Sequence, residues 1–137
     1  LHRVDRRQRQ MCIRDRFSDV DSQGHVNHCS MVSWMAHGRV KLIDGFMLQS
    51  GELDLDHVLV GLTCNFHKEV FYPGRVEVDA RVLKVGDKSV TTEIGVTRGG
   101  EWPNDLVAAA TCVNVFFKPS TKASVRIPHS LRVLLEG

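Results

Sequence analysis

Arg16-Phe17-Ser18-Asp19-Val20-Asp21-Ser22-Gln23-Gly24-His25-Val26-Asn27-His28 runs from a short extended segment, through a carboxylate-bearing turn, into a long apolar stretch. In that stretch Val32, Met35, Ala36, Val40, Ile43 and Met47 recur at three- and four-residue steps, the spacing of one helix face. Met31, Trp34, Leu42 and Phe46 widen the apolar surface beyond a single stripe. The spacing predicts a helix from Asn27 to about Gly45, with Gly45 and Gly51 marking its end and Glu52 to His57 forming a polar loop. A helix so broadly apolar has to be enclosed, and in a small domain a sheet wrapped around it does that. The fold class expected is therefore α+β.

The strands needed for such a sheet follow in order. Leu62 to Phe71 is the first strand-like run after the helix, and Met11 to Phe17 has to serve as the strand before it. Arg75 to Val85 alternates, with Val76, Val78, Ala80 and Val82 on one face and Arg75, Glu77, Asp79 and Arg81 on the other. Gly86-Asp87-Lys88 turns the chain, and Ser89 to Arg98 alternates again through Val90, Thr92, Ile94 and Val96. Gly99-Gly100 with Pro103-Asn104-Asp105 makes a longer hairpin loop. Leu106 to Phe117 is apolar on both faces, which suits a sheet centre or a subunit interface, so at least a dimer is expected. Pro119 stops that strand, Lys118 to Arg126 is irregular and basic, and Ser130 to Glu136 fits one or two helical turns.

The totals set limits on partners. A chain of 137 residues fits one domain with one sizeable core. Residues 1–10 read as a basic lead-in without periodicity, disordered or foreign, ahead of a single domain over 11–137. The formal charge is +2, yet the first sixteen residues hold six Arg against two Asp, so the remainder is slightly acidic and nucleic acid is not an expected partner. The four cysteines form no CxxC pair and no zinc spacing with the histidines. Cys64 and Cys112 lie in apolar runs, as reduced core thiols do, and Cys29 is read in the same way. Together with the lack of a membrane-length apolar run and of a secretory apolar core, this gives a cytoplasmic expectation and no membrane partner.

The chemistry concentrates at the helix start. Asn27 suits the N-cap position, where its side-chain oxygen accepts the amide hydrogens of Cys29 or Ser30 and leaves the first-turn amide of His28 without an intrahelical acceptor. An N–H of that kind attracts an anion. If the turn folds back, Asp21 lies beside the same helix start, and one pocket holds both a base and a donor for a developing oxyanion. Asp19, Asp21 and Ser22 are also ordinary turn formers. His25, His28 and Cys29 raise a Cys-His nucleophile, but neighbours at a helix start point in different directions. His25, His28 and Asp21 match no standard metal ligand set, so no metal is expected.

Asp19-x-Asp21-x-x-Gly24-His25-Val26-Asn27, followed by a helix containing Trp34 and Arg39, resembles the 4-hydroxybenzoyl-CoA thioesterase-like branch of the hotdog-fold acyl-CoA thioesterases. The resemblance runs from about Arg16 to the C-terminus, through Phe66-His67-Lys68-Glu69-Val70 and Phe117-Lys118-Pro119 to Ile127-Pro128. It implies a hotdog fold, one long central helix wrapped by an antiparallel sheet of five or so strands. It also implies hydrolysis of acyl-CoA to a carboxylic acid and free CoA. Asp21 would then be the catalytic carboxylate and the His28 amide the group polarising the thioester carbonyl, with Gly24, His25 and Asn27 beside the substrate. No metal or redox cofactor is implied. The CoA thioester is the substrate, with acyl carrier protein as a second possible carrier, and a homodimer or a dimer of dimers binds it between subunits.

Two further readings share the architecture. A hotdog dehydratase or hydratase needs a differently placed His with an acidic partner, and the sequence offers no clear equivalent. A non-catalytic acyl-thioester binder would hold the substrate intact. Lys68, Arg75, Lys118, Lys122 and Arg126 are candidate partners for CoA phosphates, and equally ordinary solvated charges. Trp34, Phe66, Phe71 and Trp102 are candidates for shaping an acyl pocket.

Overall fold

The computed structural model describes residues 10–14, 28–67, 75–98 and 106–137, with the strand side chains of 10–14 and 75 left aside. Its elements in chain order are β1 (Gln10–Arg14), α1 (His28–Ser50), β2 (Asp56–Phe66), β3 (Arg75–Val85), β4 (Ser89–Thr97), β5 (Leu106–Phe117) and α2 (His129–Glu136). β3 and β5 have the expected bounds. The expected Gly99–Asp105 loop lies outside the described residues.

Two boundaries differ from expectation for physical reasons. α1 continues through Gly45, where nothing stands within 4 Å of an added Cβ, and ends at Gly51 instead. Gly51 adopts φ 76°, a left-handed conformation that closes helices, and its N–H reaches back to the Leu48 carbonyl at 3.3 Å. β2 starts at Asp56, six residues before Leu62, so the expected polar loop ends early and His57 is a strand residue. A register shift between Leu59 and Gly61 explains the miss, because a bulge breaks the alternation by which a strand is read.

The five strands form one antiparallel sheet in the order β1-β3-β4-β5-β2. β5 therefore lies inside the sheet, flanked by β4 and β2, while β1 and β2 are its edges. That position accounts for the apolar character of β5. Its inward residues Ala108, Ala110, Cys112, Asn114 and Phe116 are all buried, and its outward Ala109, Val113 and Val115 are half-buried.

α1 lies on the inward face of the sheet and packs most closely on β3. At Gly38 the approach is so tight that a Cβ would stand 2.8 Å from Val78 Cγ1. The helix buries Met31, Met35, Gly38, Arg39, Leu42 and Ile43. This stripe is rotated from the expected one: Val32, Ala36 and Met47 are half-buried and Val40 is 37% exposed. Met31, Met35 and Leu42 pack with Val76, Val78, Ile94, Val96 and the small residues of β5. A second cluster joins Ile43 and Phe116 to Leu131 and Leu135 of α2. The expected hotdog architecture is present, a long helix held by an antiparallel sheet, but its wrap is incomplete on the β2 side.

Candidate active site

His28 is the first residue of α1, so its backbone N–H belongs to the first turn, where no helical carbonyl is available to accept it. Its imidazole stacks on Phe66, the last residue of β2, with ring centroids 4.3 Å apart and planes inclined by 20°. The helix start is thereby fixed against one end of the β2–β5 pair. Cys29 beside it is exposed, which corrects the reading of that thiol as core. Asp21, Gly24, His25 and Asn27 lie outside the described residues, as do Asp19, Phe71, Trp102 and Lys68.

From Phe66 a partly uncovered apolar strip leads along the inward side of β2. Register pairs Leu59 with Asn114, Leu62 with Cys112, Cys64 with Ala110 and Phe66 with Ala108. Residues directly opposite in a sheet share a face, so these four β2 side chains point to the helix side. Leu59, Leu62 and Phe66 nevertheless remain 37%, 47% and 38% exposed, because α1 rests farther across the sheet. Trp34 is half-buried and packs against the first core cluster. The arrangement can hold an apolar chain whose head lies at the start of α1.

Three comparisons with known proteins bear on this geometry. The PA5185 protein of Pseudomonas aeruginosa strain PAO1 shares 27% identity, with a TM-score of 0.75 over 96% of this chain and 92% of that one. A thioesterase-superfamily protein of Jannaschia sp. CCS1 superposes with a TM-score of 0.80 at 21% identity, covering 92% and 79% of the two chains. A gentisyl-coenzyme A thioesterase gives 0.74 at 21% identity, covering 93% and 99%. Among curated proteins nothing matches. The model of the thioesterase-like superfamily matches residues 16–135. The chain belongs to that superfamily. Membership supports acyl-thioester hydrolysis as the general activity, and the matched span includes Asp21.

Other polar groups of this thioesterase-superfamily chain were not foreseen. His57 Nε2 lies 2.8 Å from Asp44 Oδ1, and its Nδ1 lies 2.9 Å from Asn114 Nδ2. Asn114 Nδ2 can only donate, so Nδ1 is the acceptor and Nε2 carries the proton given to Asp44. This is a His with an acidic partner, the feature a dehydratase would need. Both ring nitrogens are engaged, however, and only 6% of the side chain is exposed, so it ties α1 to β2 and β5 instead of serving as a base. With His57 thirteen positions after Asp44, no local spacing rule announces the pair.

Arg39 is also buried, at 7% exposure, although a charged helix residue is ordinarily read as solvated. Burial pushes the Cys112 thiol above its ordinary value, and the positive charge of Arg39 opposes that rise. Burial likewise raises the Cys64 thiol. Lys118 and Arg126, candidate phosphate partners, line a cavity of about 220 Å³ together with Glu52 and Asp54, whose charges offset theirs. That cavity is at the C-terminal end of a 23-residue helix, roughly 34 Å from its start, so these two cations are not beside His28. Among the described residues no group of His, Cys, Asp or Glu is arranged to hold a metal ion, and no helix is long and apolar enough to cross a membrane.

Proposed function

We propose that this chain is an acyl-CoA hydrolase, releasing a carboxylic acid and free CoA, with Asp21 as the reacting carboxylate and the His28 backbone N–H as the oxyanion donor. The observation that carries the reading is the superfamily match, which begins at residue 16, takes in Asp21 and runs on through a helix whose first residue is His28. A thioester carbonyl is electrophilic because sulfur donates little resonance. Catalysis then needs an oxygen nucleophile and a donor for the charge gathering on the carbonyl oxygen. In the general-base route Asp21 takes a proton from water as the new C–O bond forms, the C–S bond breaks, and the proton passes to the departing thiolate. In the nucleophilic route the Asp21 carboxylate attacks the carbonyl and expels CoA, and water then cleaves the mixed anhydride. In either route the His28 N–H contributes most as the oxyanion develops, and one such donor is worth about 3–4 kcal/mol.

No metal or redox group enters either route. Gly24, His25 and Asn27 border the substrate in this reading, and the protein works in the cytoplasm on CoA or acyl-carrier thioesters. A homodimer, or a dimer of such dimers, supplies the missing wall. β2 is an edge strand with an unsatisfied backbone row and with Val58, Leu59, Val60, Leu62 and Phe66 exposed, so a second copy pairing along it covers the strip.

A panel of short, long and aromatic acyl-CoAs with detection of free thiol tests the activity. Asp21→Asn is expected to fold as the wild type does and to lose about 10²–10⁴-fold in turnover. A near-wild-type rate would remove Asp21 from the chemistry. Enoyl product without thiol release would identify a dehydratase, and tight binding without turnover a carrier.

A further inference from the structure

The N–H groups in the first turn of a helix have no carbonyl four residues back, so that turn frays more readily than the rest. An amide that receives developing charge has to be held within about 0.5 Å of one place. In α1 the first residue carries a ring, and that ring is docked on the sheet. The His28 imidazole lies almost parallel to the Phe66 ring, with 4.3 Å between centroids and 20° between planes. Phe66 has a firm backing in turn. It pairs with Ala108 on the inner strand β5, and the His67 N–H donates to the Val107 carbonyl at 2.6 Å, so the pairing runs on past it. Farther along the helix, Asp44 meets His57 of the same strand at 2.8 Å. His28 and Asp44 are roughly 24 Å apart along α1. β2 therefore grips at two distant points a helix whose body rests on β3 and β4.

We infer that Phe66 is a positioning residue: through its stack on the His28 imidazole it anchors the first turn of α1, and with it the direction of the His28 backbone N–H. This rests on the hydrolase reading, in which that N–H receives the oxyanion. The imidazole serves as the anchor, and the chemistry is left to the backbone amide of the same residue. An aromatic stack of this kind is enough to shift an opening equilibrium of the helix start by about tenfold. Leucine at position 66 keeps an apolar side chain on the strip but offers no flat face to the imidazole. The two contributions of Phe66 thus separate, since apolar contact with an acyl chain acts on binding whereas the stack acts on the rate.

The test is a double-mutant cycle on the best acyl-CoA of the panel described above, with Phe66→Leu, His28→Ala, the pair together, and Phe66→Tyr as the variant that keeps the ring. His28→Ala removes the imidazole and retains the backbone N–H. Each of the two single losses of the stack is expected to lower kcat about tenfold with KM little changed. The pair should lose no more than either alone, and Phe66→Tyr should recover most of the wild-type kcat. Losses that multiply in the pair overturn the proposal, as does an effect confined to KM. Backbone amide relaxation of the substrate-free protein gives a second readout that needs no turnover. Order parameters at Cys29 and Ser30 should be about 0.85 in the wild type and fall toward about 0.6 in Phe66→Leu and His28→Ala. If no acyl-CoA is cleaved but these values fall, the hydrolase reading fails while the anchoring of the helix start stands. Wild-type order parameters in Phe66→Leu remove the anchor.

Discussion

Gly38 and Gly45 lie on the same helix in opposite surroundings. An added methyl at Gly38 meets Val78 Cγ1 at 2.8 Å, in the closest approach of α1 to β3, whereas one at Gly45 meets nothing within 4 Å. Helix propensity alone favours alanine over glycine by about 1 kcal/mol at either position. Gly45→Ala should therefore stabilise the fold by about 0.5–1 kcal/mol in urea denaturation. At Gly38 the clash outweighs propensity, and Gly38→Ala should cost about 1–3 kcal/mol. The same residue-by-residue view shows what the sequence hid. Arg39 falls on the buried stripe, between Met35 and Leu42, but its charge keeps it out of the apolar pattern by which such a stripe is read. His28 at the helix start was legible because capping chemistry is local.

Among the elements, β3 and β5 were readable because β3 alternates strictly and β5 is an unbroken apolar run. β2 was not, since the bulge at Leu59 to Gly61 and the polar Asp56-His57 opening hide its first half. The loop ahead of β2 is held by Asp54, which accepts hydrogen bonds from Ser120 Oγ at 2.5 Å and Ser120 N at 3.2 Å. The Ser120 hydroxyl, followed by its amide and the Lys118 charge, holds the Asp54 carboxyl below its ordinary 3.8 against a smaller opposing effect of burial. A carboxylate with a depressed folded-state pKa stabilises above its unfolded value, and loses that contribution as pH falls through the folded one. Ser120→Ala should therefore move the Asp54 carbon titration up toward 3.8 in NMR. Any stability gap between the two proteins should close at pH below that transition.

At the level of the whole molecule, the two sheet edges are unlike. β1 has five residues, whereas β2 has eleven and carries Val58, Val60 and Leu62 at 49%, 60% and 47% exposure. An edge that long and apolar is a pairing surface or an aggregation hazard, and a single lysine is the usual way to blunt one. If the dimer proposed above pairs along β2, Val60→Lys should convert it to monomers in sedimentation velocity while leaving the far-ultraviolet circular dichroism of the wild type. A wild-type protein that sediments as a monomer would remove the pairing along β2. The sequence left the twofold burial of β5 to either a sheet centre or a subunit interface, and the strand order places β5 inside the sheet.

The lopsided seat of α1 on the sheet has a consequence for how this molecule can change. Its packed core and its exposed apolar strip draw on largely separate residues: Met31, Leu42, Val78 and Ile94 on one side, Leu59, Leu62 and Phe66 on the other. Substitutions along that strip alter what fits without loosening what folds. Selectivity is thus free to drift, or to be redesigned, on a scaffold that stays the same.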